Sequence, residues 1–231
     1  METLNHEILS VLEKEKPFLA GFADLRNIDF YIRQGFDYGI ILGLPYTKEA
    51  MTSNKEGAGT QYYEEYKKIN KKMLHLTSML TDFLISKGYK AWGKSGQNVV
   101  ADKKIGSALP FKTVATLSGL GWIGKTAIFV TEEYGSALRL GTILTTAPFD
   151  TGEPVTKSKC PVECTVCIDL CPGKSANGLP WEQDMTLDTF FSPKACFKAA
   201  RNLAKEKLGI EDTLCGICIS NCPFTLKGTN F

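Results

Sequence analysis

The sequence predicts an α+β fold in two parts, a cysteine-free domain over residues 1–150 and a cysteine-rich module over 151–231. Three observations predict it. Helical and strand-like patterns are mixed without regular βαβ alternation. All eight cysteines lie at or beyond Cys160. A stretch rich in Pro, Gly and polar residues, APFDTGEPVTKSK at 147–159, separates the two regions. With 231 residues, 43% of them hydrophobic, the chain is long enough for a large domain plus a module and too apolar for a disordered protein. Lys and Arg number 27 against 25 Asp and Glu, a formal charge of +2, so stable coating of a nucleic-acid backbone is not expected. No run of about 18 apolar residues offers a membrane span. The opening METLNHEILSVLEKEK mixes acids and bases around no signal-peptide core, which predicts a cytoplasmic protein.

Element by element, Leu4, Ile8 and Leu12 mark a short amphipathic helix that Pro17 ends. The apolar runs at 18–22 and 39–44 read as buried strands. From Thr60 to Lys87 a stripe of Tyr62, Tyr66, Ile69, Met73, Leu76, Leu80, Phe83 and Leu84 repeats at helical spacing, with Gly88 as the stop. Pro110 to Ser118 predicts a further helix, with Pro at its start and Gly119 after its end. Residues 127–131 and 138–145 then read as two strands of a hairpin turning at Glu133-Tyr134-Gly135. Ser192-Pro193 has the form of an N-cap and first turn of a helix running to about Leu208.

The cysteines carry the chemistry. Bacterial ferredoxins use C-x2-C-x2-C-x3-C-P, in which the last Cys ligates the other cluster. Cys164-x2-Cys167-x3-Cys171-Pro172 reproduces the last three positions, and Cys160 supplies the first with one extra residue in the gap. Cys215-x2-Cys218-x3-Cys222-Pro223 repeats the ending, and Cys196 stands as its separated first ligand. Crossover pairing then assigns Cys160, Cys164, Cys167 and Cys222 to one [4Fe–4S] cluster and Cys171, Cys196, Cys215 and Cys218 to another. Near the start of its helix, Cys196 would meet the positive end of the dipole, which favours thiolate. Structural zinc accounts for the C-x2-C pairs at 164/167 and 215/218 but for neither x3-C-P ending. Disulfides need an oxidising compartment that the N-terminus does not suggest.

Gly119 to Thr126, GLGWIGKT, matches both a phosphate-loop and a dinucleotide pattern as text. Such loops follow a strand and open a helix, so that amides and dipole face the phosphates. Here the loop follows a helical stretch and leads into the strand-like AIFV, and Trp122 and Ile123 crowd what should be an amide nest. Nucleotide binding is therefore not expected, which leaves a packing turn or the wall of another cofactor site.

GLGWIGK at 119–125, EYGSALRLGTILTTAP at 133–148 and the cysteine ladder with its C-P endings together resemble epoxyqueuosine reductase. The resemblance runs from about Gly39 to Cys222. It implies a cobalamin-binding, nitroreductase-like N-terminal domain and a small ferredoxin-like double-cluster C-terminal domain. It also implies a reductase in which two [4Fe–4S] clusters feed a cobalamin that reduces an electrophilic substrate, with flavin as the alternative cofactor in such folds. By position, Gly121, Trp122, Gly124 and Lys125 would help to form the corrin pocket. The family's proton-donating acid falls on Ile105, beside Asp102, and the first cysteine gap is one residue longer than the family's. The longer members carry C-terminal helical repeats, whereas this chain ends nine residues after its last Cys. These departures predict a short, divergent member acting on an unassigned small molecule or modified nucleoside.

Two histidines, His6 and His75, offer little for acid–base chemistry, since His75 lies off the apolar stripe. Lys194, Lys198, Arg201, Lys205 and Lys207 form a basic helix, either a solvated face or a dock for an acidic electron donor such as a flavodoxin or ferredoxin. The alternative to an enzyme is a ferredoxin-like electron carrier without its own catalytic site.

Overall fold

In the computed structural model, residues 3–15, 18–94 and 109–228 are described. Asp102 and Ile105, and with them the expected proton-donor position, lie outside the described residues. Helix α1 (Leu4–Leu12) is capped by the Thr3 hydroxyl, which accepts from the His6 amide, and it buries Ile8 and Leu12. Strands β1 (Leu19–Asp24) and β2 (Tyr38–Pro45) pair antiparallel, Leu19 opposite Gly43 and Asp24 opposite Tyr38. Helix α2 (Lys48–Ser53) leads to α3 (Thr60–Ser86), and strand β3 (Ala91–Lys94) follows. Helix α4 (Phe111–Leu117) starts directly after Pro110, and Gly119 follows it at φ +78°. The remaining strands are β4 (Trp122–Ile123), β5 (Phe129–Val130) and β6 (Leu138–Thr145). The cysteine region holds α5 (Val166–Asp169), α6 (Pro193–Leu208), α7 (Ile217–Ser220) and α8 (Pro223–Lys227).

Two compact units result, and neither is continuous in sequence. The first comprises Met1–Pro45, Lys68–Leu120 and Arg139–Val155. Its sheet has the order β1-β2-β6-β3, with β3 antiparallel to β6. The predicted stripe of α3 forms much of its core: Met73, Leu76, Leu80 and Leu84 are almost fully buried, each contributing about 1.5–3 kcal/mol. The helix lies so close to β6 that a Cβ at Gly141 would come within 2.5 Å of the Met73 sulfur. A side chain there would have to push Met73 aside.

The second unit comprises Tyr46–Lys67, Gly121–Leu138 and Thr156–Phe231. Its last segment begins at Thr156, and two earlier segments join it through the long-range hydrogen bonds described below. A small core of Ala127, Trp181 and Phe190, flanked by Ile123, Met185 and Phe191, holds part of it together. Among the described residues no helix is long and apolar enough to cross a membrane.

The hairpin expected between 127–131 and 138–145 does not form. β5 pairs with β4, Trp122 opposite Val130, while β6 pairs with β3 in the larger sheet. The intervening turn closes on itself, the Thr131 amide donating to the Gly135 carbonyl at 2.8 Å. Burial explains the outcome. Residues 141–145 of β6 are all buried, which demands an interior position that one hairpin partner could not provide. The short strand AWGK was not expected, because four residues give too little alternation to read.

Candidate metal centre

None of the eight cysteines is in a disulfide, and all are partly exposed. Their electrostatic neighbours sort them. Burial pushes the Cys167 thiol up to about 11, and the sulfurs of Cys160, Cys222 and Cys164 reinforce the shift. Burial also raises the Cys215 thiol, where the contributing sulfurs are Cys196 and Cys171. Burial raises the Cys218 thiol strongly, with Cys215, Cys167 and Cys196 adding to it. Cys160, Cys164 and Cys222 thus act on Cys167, Cys171 and Cys196 act on Cys215, and Cys167 also acts on Cys218. Among the described residues no three His, Cys, Asp or Glu side chains converge on the position of a single ion. Thiolates are the donors that iron–sulfur clusters require.

Local structure explains how each cysteine is presented. Cys167 lies within α5, and Cys218 within α7, so each x2 spacing brings two sulfurs to one short turn. Ser192 caps α6 by accepting from the Ala195 amide, Pro193 occupies the first turn, and Cys196 sits in that turn as expected. The helix ends with Gly209 at φ +66°. Gly216, between Cys215 and Cys218, has φ +77°, and a Cβ there would meet Asn54 Nδ2 at 2.5 Å. For Cys171 burial opposes ionisation, yet the Ser175 hydroxyl and the Ser175, Gly173 and Lys174 amides outweigh it and hold the thiol below its usual range. The Ser175 Oγ–Cys171 Sγ distance is 3.0 Å.

From Gly121 onward the glycine loop belongs to this same unit, and two of its side chains reach the cysteine segments. Lys125, only 3% exposed, donates from Nζ to the carbonyls of Pro161, Val162 and Cys164 at 2.9, 2.8 and 2.8 Å. Trp122, 0% exposed, donates from Nε1 to the Cys160 sulfur at 3.4 Å. A Cβ on Gly124 would sit 3.6 Å from the Cys160 sulfur, and one on Gly121 would strike the Val130 carbonyl oxygen at 2.1 Å. No helix opens after the loop, in keeping with the rejection of a phosphate cradle. Of the four residues that the resemblance assigns to a corrin, Trp122 and Lys125 thus have described partners in the Cys160–Cys164 turn, whereas Gly121 packs against Val130 and the Gly124 amide donates to the Ile128 carbonyl.

Sequence reasoning missed several supporting groups. Asn54 donates to the Cys215 carbonyl (3.1 Å) and to Ser220 Oγ (3.0 Å), and its Oδ1 accepts from the Gly59 amide (3.0 Å). The Ala58 amide donates to the Cys215 carbonyl as well, at 3.0 Å. Ser136 lies against Thr225 and hydrogen-bonds Cys222, and Thr126 hydrogen-bonds Cys218. Nothing in spacing signals these contacts, because the partners other than the Asn54–Gly59 pair lie 86 to 166 positions apart. The basic helix α6 is partly neutralised: Arg201 and Lys205 pair with Glu211, and Lys207 with Glu56. His75 is exposed, as its position off the stripe predicted.

No family model matches the chain. An epoxyqueuosine reductase from Bacillus anthracis is 30% identical over 121 residues, which cover 52% of this chain and 30% of that protein. Among solved structures, an epoxyqueuosine reductase with a tRNA-Tyr epoxyqueuosine-modified stem loop superposes with a TM-score of 0.61 at 18% identity. That match covers 97% of this chain and 66% of the other. A catabolic reductive dehalogenase superposes with a TM-score of 0.65 at 12% identity, over 92% of this chain and 30% of the other. The chain thus matches under a third of the curated relative's length and spans just under two thirds of the solved reductase. The motifs, the cysteine ladder and the fold agree in their similarity to epoxyqueuosine reductases, over about half of this chain in sequence.

Proposed function

We propose that the chain is an iron–sulfur oxidoreductase whose eight cysteines hold two [4Fe–4S] clusters in the quartets Cys160/Cys164/Cys167/Cys222 and Cys171/Cys196/Cys215/Cys218. The observation that carries this reading is the sorting of sulfurs around Cys167 and Cys215 into the groups that crossover pairing requires. When bound, such clusters supply one-electron transfer, and a cobalamin of the kind the family uses would supply the reducing centre for the substrate. The chain's own residues hold and orient. Lys125 fixes three carbonyls of the first cysteine turn. Asn54 fixes the Cys215 turn, and the start of α6 presents Cys196. Because Trp122 and Lys125 find their partners in the cysteine turn, we assign neither to the corrin.

The substrate class we favour is a modified nucleoside, because a protein of this fold is seen with a modified tRNA stem loop. The near-neutral charge disfavours broad nucleic-acid coating but leaves a small, specific contact open. The test is anaerobic purification followed by iron, acid-labile sulfide and small-molecule analysis. Four irons and four sulfides per quartet, with a released corrin, are expected. Colourless protein, or stoichiometric zinc without sulfide, overturns the reading. Binding of a modified stem loop, compared with the unmodified one, tests the substrate class separately.

A further inference from the structure

The family resemblance offers Trp122 to a corrin, and the phosphate-loop pattern offers it to nothing. Its surroundings give it another role. The indole is fully buried, and an indole has a single donor and no acceptor. That donor points at the Cys160 sulfur, 3.4 Å away. The ring is clamped from both ends of one quartet. The Phe224 ring, two residues after Cys222, meets it edge-on with centroids 5.0 Å apart. The Lys159 ammonium, directly before Cys160, lies 5.6 Å from its centre. Val130 opposes it across the β4–β5 pair, so its backbone is fixed as well.

We propose that Trp122 is a positioning residue that sets the reduction potential of the cluster held by Cys160, Cys164, Cys167 and Cys222. The physical reason is electrostatic. Reduction adds one negative charge, part of which resides on the ligand sulfurs, so an N–H donor aimed at a sulfur stabilises the reduced form more than the oxidised form. A buried donor acts in a low local dielectric, where such a bond counts for more than in water. The hydrogen bond therefore raises the potential of its own quartet and leaves the other nearly unchanged. The proposal rests on the iron–sulfur reading above.

The experiment begins with iron and sulfide counts on the anaerobically purified parent; their absence overturns the iron–sulfur reading itself and not the role of the indole. In Trp122→Phe, both clusters are retained, and a redox titration followed by electron paramagnetic resonance resolves two midpoints. The expected result is one midpoint lowered by about a tenfold change in the reduction equilibrium, ~59 mV for one electron, with the other fixed. If the smaller ring impairs folding, site-specific replacement of Trp122 by benzothienylalanine keeps the shape and removes only the donor. The same downward shift is expected there. Full cluster content with both midpoints unchanged in the benzothienyl protein overturns the proposal, as does an equal shift of both clusters.

Discussion

Replacing Lys125 by Met keeps most of the side-chain volume and removes the ammonium that holds the first cysteine turn. Its Nζ makes three hydrogen bonds to carbonyls at 2.8–2.9 Å while the residue is 3% exposed. Hydrogen bonds to a charged group contribute about 1.5–3 kcal/mol each, which sums to roughly 5–9 kcal/mol. Desolvation of the ammonium offsets several kcal/mol of this. Val162, 81% exposed, also lets water reach part of the freed backbone. The net loss expected is about 3–4 kcal/mol. For a chain of this length that corresponds to a fall of roughly 6–16 °C in apparent melting temperature. The assay is a thermal scan of cluster-loaded protein, parent and variant at one scan rate, with iron retention measured in parallel. Lys125→Arg should restore only part of the loss, since a planar guanidinium fork does not converge on three acceptors as an ammonium does. A Lys125→Met protein that melts within a degree of the parent and keeps its iron would refute the assignment of this lysine to the cysteine turn.

The remaining predictions concern the other supports and one buried charge. Cys196→Ala should lose the iron of its own quartet, about half the total, while the Cys167 quartet keeps its resonance signal; complete loss of iron would count against separate quartets. Asn54→Ala removes three hydrogen bonds at a buried position and should cost about 2–3 kcal/mol, read as a lower denaturant midpoint with reduced iron uptake; an unchanged midpoint contradicts it. Lys94, 2% exposed, has no hydrogen-bond partner for its Nζ among the described residues, and burial pushes its ammonium down to about 8. The unfolded chain then binds more protons than the folded one between about pH 8 and the usual lysine range. Stability should rise with pH across that window, the burial cost below it being about 3 kcal/mol. Lys94→Met should abolish the rise and be the more stable protein at pH 7, and urea midpoints at pH 7 and 9.5 decide the matter.

The long helix was legible because Met73, Leu76, Leu80 and Leu84 repeat at 3.6-residue spacing, a local signal that packing then obeys. Ser192-Pro193 announced α6 for a similarly local reason, the cap bond being a property of a few adjacent residues. The partner of β6 was not legible, since a strand buried on both faces carries no mark of which strand it joins. The supporting groups of the cysteine turns were equally hidden. Asn54 and Ser136 are ordinary polar residues until folding brings them to Cys215 and Cys222.

The sequence by itself determined the cysteine inventory and the grouping expected of it, because short x2 and x3 spacings with C-P endings are the form that iron–sulfur binding loops take. Only the tertiary structure decided what the glycine loop does. As a string, GLGWIGKT could cradle phosphate, wall a corrin or pack; in space, Lys125 and Trp122 reach Cys160 and the carbonyls around it. Spacing encodes contacts within a turn. A hydrogen bond that closes across 36 to 39 residues depends on the path of the whole chain between its ends, and that path is settled by burial.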